Sequence, residues 1–460
     1  MGKSSSLVLN KVSEQFPAPF KKSFYFLPIS LSLITLLFIF IYDITTTVDV
    51  THNLPQTDPY LLDRSLPTDN IPFDQNSENG DDLVADPSRL SASARANKWL
   101  GNLFGISNGN YTNNIEAYHD EDIFLEDYKQ MNKSLKIYVY PYPQDHPFKQ
   151  VFEPFESDPV GNFASEHYFK KALMKSHFIT EDPDEADFFY MPFSIALIRD
   201  DHRLDIAGIS VFVKSYIQNI TNIYPYWNRT GGADHFYFAC HSKGRFAFDK
   251  AFVAKLNVIQ LLCSSNLYIS SYVAHKDAPV PQVWPRLDAP PIPNLLTRER
   301  KQLGFFSGGI NSRTRVYLLK VWDNDTEIFT HHGRLPTPYS EQLLGSKFCI
   351  HARGYEVNSA RIADAIYYGC VPVILSNHYD LPFTDILNWK SFSVIVNERD
   401  IPILKRILQG ISSEEYAMLQ SNVIKVRKHF QWHTPPTDFD ALHMSLYELW
   451  QRRSVVKVKS

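Results

Sequence analysis

Between Lys347 and Leu375 the chain reads KFCIHARGYEVNSARIADAIYYGCVPVIL, which gathers Arg353, Gly354, Asn358, Ser359, Arg361 and Asp364 around one polar turn. A guanidinium presents paired N–H donors that match phosphate oxygens, and the unpaired N–H groups at a helix start attract anions. Two arginines beside a glycine turn therefore point to a phosphate or diphosphate guest. An ordinary solvated turn with surface ion pairs would use the same residues. A second turn of this kind is Ser307-Gly308-Gly309, followed six positions after its second glycine by Arg315. The competing reading of Arg315 is a solvent-facing arginine in a first helical turn. Asp364 shares a helix face with Arg361, three residues before it, and an exposed pair between them would be worth only about 0.3–0.5 kcal/mol.

Proton acceptors occur elsewhere. Gly231-Gly232-Ala233-Asp234-His235 places two of them directly after a double glycine. His235 is the better base near neutral pH, with Asp234 as a weak base or an orienting group. The plainer role for both is to close the turn by hydrogen-bonding the backbone. Glu166, in FASEHYF, is the third candidate, or else a first-turn carboxylate favoured by the helix dipole. Metal signals are poor. Asp323-Asn324-Asp325 imitates a D-x-D pattern but reads as a polar turn, and His331-His332 has no third ligand nearby. No metal and no cofactor is assigned.

These residues need a scaffold. Phe348–Ile350 reads as a strand, Asn358 and Ser359 as N-caps of a helix that stops at Gly369, and Val371–Leu375 as a buried parallel strand. That is one βαβ unit. Upstream, strands are expected at 135–140, 188–191 and 235–240, with a helix near 165–174; this alternation predicts a parallel sheet and a Rossmann-like domain over residues 115–285. The Pro-rich stretch 279–293 marks a crossing to a second Rossmann-like domain at 300–430, which holds a capping box at Ser412 and Glu415. Residues 431–460 are expected to be helical.

With 460 residues, 44% of them hydrophobic, the chain is long enough for two domains plus accessories. Its net charge of −4 argues against a nucleic-acid partner. Residues 24–42 carry no charge and approach the ~20 residues that span a bilayer. The run either spans or is a signal peptide; it exceeds the usual signal core and no A-x-A pattern follows, which favours an anchor. Since Lys3, Lys11, Lys21 and Lys22 precede it and no Lys or Arg follows until Arg64, the positive-inside rule predicts a cytosolic tail (1–23), a signal-anchor (24–42) and a luminal stem (43–114), low in apolar residues and largely disordered. Sequons at Asn110, Asn132, Asn219, Asn228 and Asn324 agree with that side of the membrane. The four cysteines, Cys240, Cys263, Cys349 and Cys370, allow three pairings.

The signature segment resembles that of the exostosin-like glycosyltransferases, glycosyltransferase family 47, and most of all their plant branch. The resemblance runs from about Ile115 to Arg453 and includes LPFTDILNWKSFSV. It implies an α/β fold of GT-B type, two Rossmann-like domains facing across a cleft, and inverting transfer of a sugar from a nucleotide sugar, a UDP-sugar. It places Arg315, Arg353, Gly354, Asn358, Ser359, Arg361 and Asp364 at the donor, Asp364 standing where the family usually has a ribose-binding glutamate one methylene longer. His351-Ala352 replaces a common Cys-Pro. Glu166 matches a family position, and a Cys349–Cys370 disulfide is implied, against two buried free thiols. A Golgi type II enzyme acting on a cell-wall polysaccharide or glycoprotein glycan follows from the resemblance. The alternative is a catalytically silent homologue that stabilises a partner transferase in a complex.

Overall fold

The computed structural model describes residues 116–457 apart from 143–144, 154–160, 205, 269–270 and 286–293. The expected tail, anchor and stem, and the Asn110 sequon, lie outside the described residues. Two wholly parallel sheets organise the rest. The first has the order β2-β1-β3-β4-β5-β6, with β1 Ile137–Val139, β2 Ile179–Thr180, β3 Phe188–Tyr190, β4 His235–Ala239, β5 Ile259–Leu262 and β6 Ala278–Pro279. The second has the order β11-β10-β9-β7-β8, with β7 Gln302–Gly308, β8 Ile328–His332, β9 Ser346–Ala352, β10 Val371–Leu375 and β11 Val394–Ile395. This two-sheet α/β arrangement fits the GT-B architecture.

The sequence of β4, HFYFA, shows why the first sheet is central. All five residues are buried, and successive side chains alternate between the faces, so Phe236 and Phe238 join one core while Tyr237 and Ala239 join the other. In a parallel sheet every strand ends on the same side, and ligands bind outside those carboxyl ends. The two disulfides act beside that geometry: Cys240–Cys263 ties the ends of β4 and β5, and Cys349–Cys370 ties β9 to the start of β10.

Two segments pack on the domain opposite to their place in the sequence. Residues 116–120 lie on the second domain, where His119 and Asn388 exchange backbone bonds with Ile386 and Ala117. The helix Ala441–Lys457 returns to the first domain, and its Arg452 donates to the carbonyls of Lys276 and Asp277 at 3.1 and 2.9 Å. The first domain expected over residues 115–285 thus begins on the surface of the second.

Candidate active site

The carboxyl ends of β7, β8 and β9 frame a cavity of about 660 Å³. Ser307, Gly308 and Gly309 form one wall, Gly333 and Arg334 the next, and Ser359, Arg361 and Asp364 a third; Asn162 and Trp284 close it from the first-domain side. Ser307 ties two walls together by donating its hydroxyl to the Gly333 carbonyl at 2.9 Å.

Arg361 opens the helix Arg361–Tyr367 and folds back onto the Ser307 carbonyl through Nε (3.1 Å) and Nη2 (2.9 Å). Gly308 makes this possible, because a Cβ there would collide with the same guanidinium. Arg315, near the start of the helix Arg313–Trp322, donates to Ala352 O at 3.0 Å and Gly309 O at 3.1 Å, and packs against the bare Gly354 backbone. Both guanidiniums thus hold carbonyl oxygens, and both lie within 6 Å of the Phe306 ring centre, at 5.9 and 5.6 Å. Burial and the neighbouring Arg361 charge push the Arg315 pKa down to about 10. Two cations so placed are set to receive an anion.

Three expectations need correction. Arg353 turns away from the cavity to an ion pair with Glu398 at 2.9 Å, and Glu398 is itself held by Thr314 and Asn377. Gly354 carries no cavity wall; it admits Arg315. Asn358 and Ser359 are not helix caps: the cap position is Ala360, which makes no side-chain cap bond. The Asn358 amide instead crosses to the first domain and donates to Cys263 O at 2.7 Å, while the Ser359 hydroxyl donates to His351 Nδ1 at 3.0 Å. His351 completes this bracing by donating from Nε2 to Val357 O, and burial keeps it neutral, with a pKa pushed down to about 3.

The base candidates also move. His235 begins β4, roughly 13 Å from its carboxyl end at ~3.3 Å per residue. Its ring is fully buried, with Nδ1 bonded to Asp234 at 2.8 Å, Nε2 to the Tyr140 hydroxyl at 2.7 Å, and Phe189 stacked on its face at 4.9 Å. Asp234 also receives Thr230 and Arg229; burial alone would raise its pKa, but these bonds and His235 hold it below the usual carboxylate range. The pair is a buried, internally hydrogen-bonded network. Glu166 lies nearer the cleft but accepts from the Ser194 hydroxyl and from the Ala196 and Cys240 amides, and burial pushes its pKa up to about 7. It braces the end of β4.

What sequence reasoning missed has a common address. Arg334, Trp284 and Asn162 all follow strands or precede helices on the ligand side, and Gly333-Arg334 repeats the glycine–arginine pattern already noticed at two other turns. Glu356 was overlooked as well. Its carboxylate accepts from Ser264 Oγ at 2.6 Å and Ser242 N at 3.2 Å, pinning the signature loop to the ends of β4 and β5. His241 sits 3.9 Å from the same carboxylate, but its Nδ1 accepts from the Lys243 amide, so the neutral ring carries its proton on Nε2. Asp323-Asn324-Asp325 is a turn: Asn324 has φ 60°, and Asp325 receives the Glu327 and Ile328 amides and pairs with Lys405 at 3.0 Å. Among the sequons, Asn219, Asn228 and Asn324 are exposed and Asn132 is half-buried.

Residues 131–411 match the model of the Exostosin GT47 domain. The chain is 38% identical over 359 residues to a probable glycosyltransferase of Arabidopsis thaliana, covering 74% of this chain and about two thirds (66%) of that protein. It is 30% identical to a probable beta-1,4-xylosyltransferase of Arabidopsis thaliana, covering 61% of this chain and 72% of the other. A probable glucuronosyltransferase of Physcomitrium patens is also 30% identical, with coverages of 61% and 67%.

Proposed function

The chain belongs to the exostosin GT47 family of glycosyltransferases, and from that premise we propose that it transfers a sugar, with inversion, from a UDP-sugar to a cell-wall polysaccharide or a glycoprotein glycan. The observation that carries this reading is the 660 Å³ cavity, with Arg361 inside it, Arg315 braced behind it and a bare glycine turn between them. A diphosphate leaving group develops negative charge as the bond from the sugar's anomeric carbon to the diphosphate breaks and the new glycosidic bond forms, and fixed cations stabilise that charge without reorganising. Asp364, the carboxylate lining the cavity, is suited to ribose hydroxyls. Relatives named as xylosyl- and glucuronosyltransferases favour a pentosyl or glucuronosyl donor. We place the enzyme in the Golgi membrane as a type II protein, on the strength of the uncharged run 24–42 and its flanking lysines. The clamp of arginines is the reason for proposing turnover without a metal, so activity should survive EDTA.

The test is a panel of UDP-sugars offered to the full chain in detergent. Release of UDP from at least one donor supports transfer; binding without release would make the protein a silent homologue, and no nucleotide binding would reject the donor site.

A further inference from the structure

A second cavity, of about 190 Å³, adjoins the donor cavity and shares Trp284 with it. Its walls come from four segments: Tyr168 on the helix Ala164–Leu173, Trp284 after β6, Tyr367 at the far end of the helix that Arg361 begins, and 430–433 in the return to the last helix. The helix of 7 residues separates Tyr367 from Arg361 by roughly 9 Å at ~1.5 Å per residue. We propose that this cavity holds an interior pyranose unit of the acceptor, so that the acceptor is an oligosaccharide chain recognised beyond its reacting end.

The lining argues for a sugar. Trp284 is 48% exposed, and with Tyr168 and Trp432 it offers ring faces for the C–H face of a pyranose. Polar groups sit among the rings. Gln431 and His433 line the same space, and the Trp432 indole N–H is buried with no hydrogen-bond partner among the described residues. Gln431 Nε2 already donates to Arg427 O at 3.2 Å and His433 Nδ1 meets Asp440 and Thr437, so an apolar guest would desolvate Gln431 Oε1, His433 Nε2 and the Trp432 N–H, which hydroxyls around a sugar ring can pair. Nearby, Arg427 stacks over Tyr367 at 4.6 Å and fixes its ring. The position completes the case: a linear glycan with its reacting end in the donor cavity passes Trp284 on the way to Trp432.

This inference rests on the glycosyltransferase reading, and the experiment separates the two. Xylohexaose, galactohexaose and cellohexaose are titrated into the full chain in detergent by calorimetry, alongside UDP. The proposal expects at least one hexasaccharide to bind, its affinity to fall about tenfold in Tyr168→Ala and severalfold in Trp432→Phe, and UDP affinity to stay unchanged in both. Trp432→Phe keeps the ring that packs near Phe169 and Phe238, so it retains the fold while removing the N–H. UDP binding with no binding of any hexasaccharide, or hexasaccharide binding untouched by both variants, overturns the proposal and leaves the donor site standing. Failure of UDP to bind strikes the function itself.

Discussion

Gly308→Ala isolates the donor clamp in a single methyl group. Gly308 has no need of a left-handed backbone, and the added Cβ meets chiefly Arg361, whose Cζ lies 3.1 Å away, with Phe306 at 3.5 Å. The strand can accept alanine, but the guanidinium must leave the Ser307 carbonyl that holds it. If Arg361 gives the diphosphate a charged hydrogen bond, displacing it costs about 1.5–3 kcal/mol, or roughly a 10- to 150-fold rise in the Kd for UDP. Arg361→Ala should cost the same, and the double variant should cost no more than Arg361→Ala alone, since both act through one group. Calorimetric titration with UDP measures all four proteins, with thermal unfolding confirming that each is folded. Wild-type affinity in a folded Gly308→Ala protein, or additive losses in the double variant, would refute this account of the clamp.

His235→Ala should act on stability and not on the donor: the ring lost from between Asp234, Tyr140 and Phe189 is expected to cost about 3–5 kcal/mol in chemical denaturation, with UDP affinity unchanged. A stable variant with turnover reduced a hundredfold or more would restore His235 as the base. Glu166 predicts a pH effect. Burial raises its folded pKa to about 7 from 4.5, so its contribution is fully present below about pH 4.5 and is lost as pH rises through 7, at about 1.4 kcal/mol per pH unit. Glu166→Gln should flatten that part of the stability profile, and an unchanged slope would contradict the assignment. In sealed Golgi vesicles a C-terminal tag should resist protease until detergent is added, as the lysines before residue 24 require; digestion in intact vesicles would reverse the topology.

Periodicity made the scaffold legible. The alternation in HFYFA and the apolar run VPVIL mark buried parallel strands, and Ser412 with Glu415 forms the capping box their spacing predicts. The arginines were found for a good reason, since Arg361 does face the cavity and Arg315 does support it. Their division of labour was not legible, because it depends on which carbonyl or carboxylate each one meets across the fold: Ser307 for Arg361, Glu398 for Arg353. For the base candidates the direction of the strand was not legible. A double glycine before a strand looks like a ligand turn in one dimension, but Asp234 and His235 enter β4 at the end opposite the cleft. Glu356 gives no signal in the sequence and Asn358 reads as a helix N-cap for the same cause, since their partners Ser264 and Cys263 lie over ninety residues away, at separations of 92 and 95.

The most direct test of the central claim is a structure of the full chain with UDP bound. The account predicts the diphosphate against Ser307, Gly308 and Gly309, with Arg361 in contact and Asp364 at the ribose. A diphosphate bound elsewhere, or one that leaves Arg361 on the Ser307 carbonyl without touching it, would contradict the account.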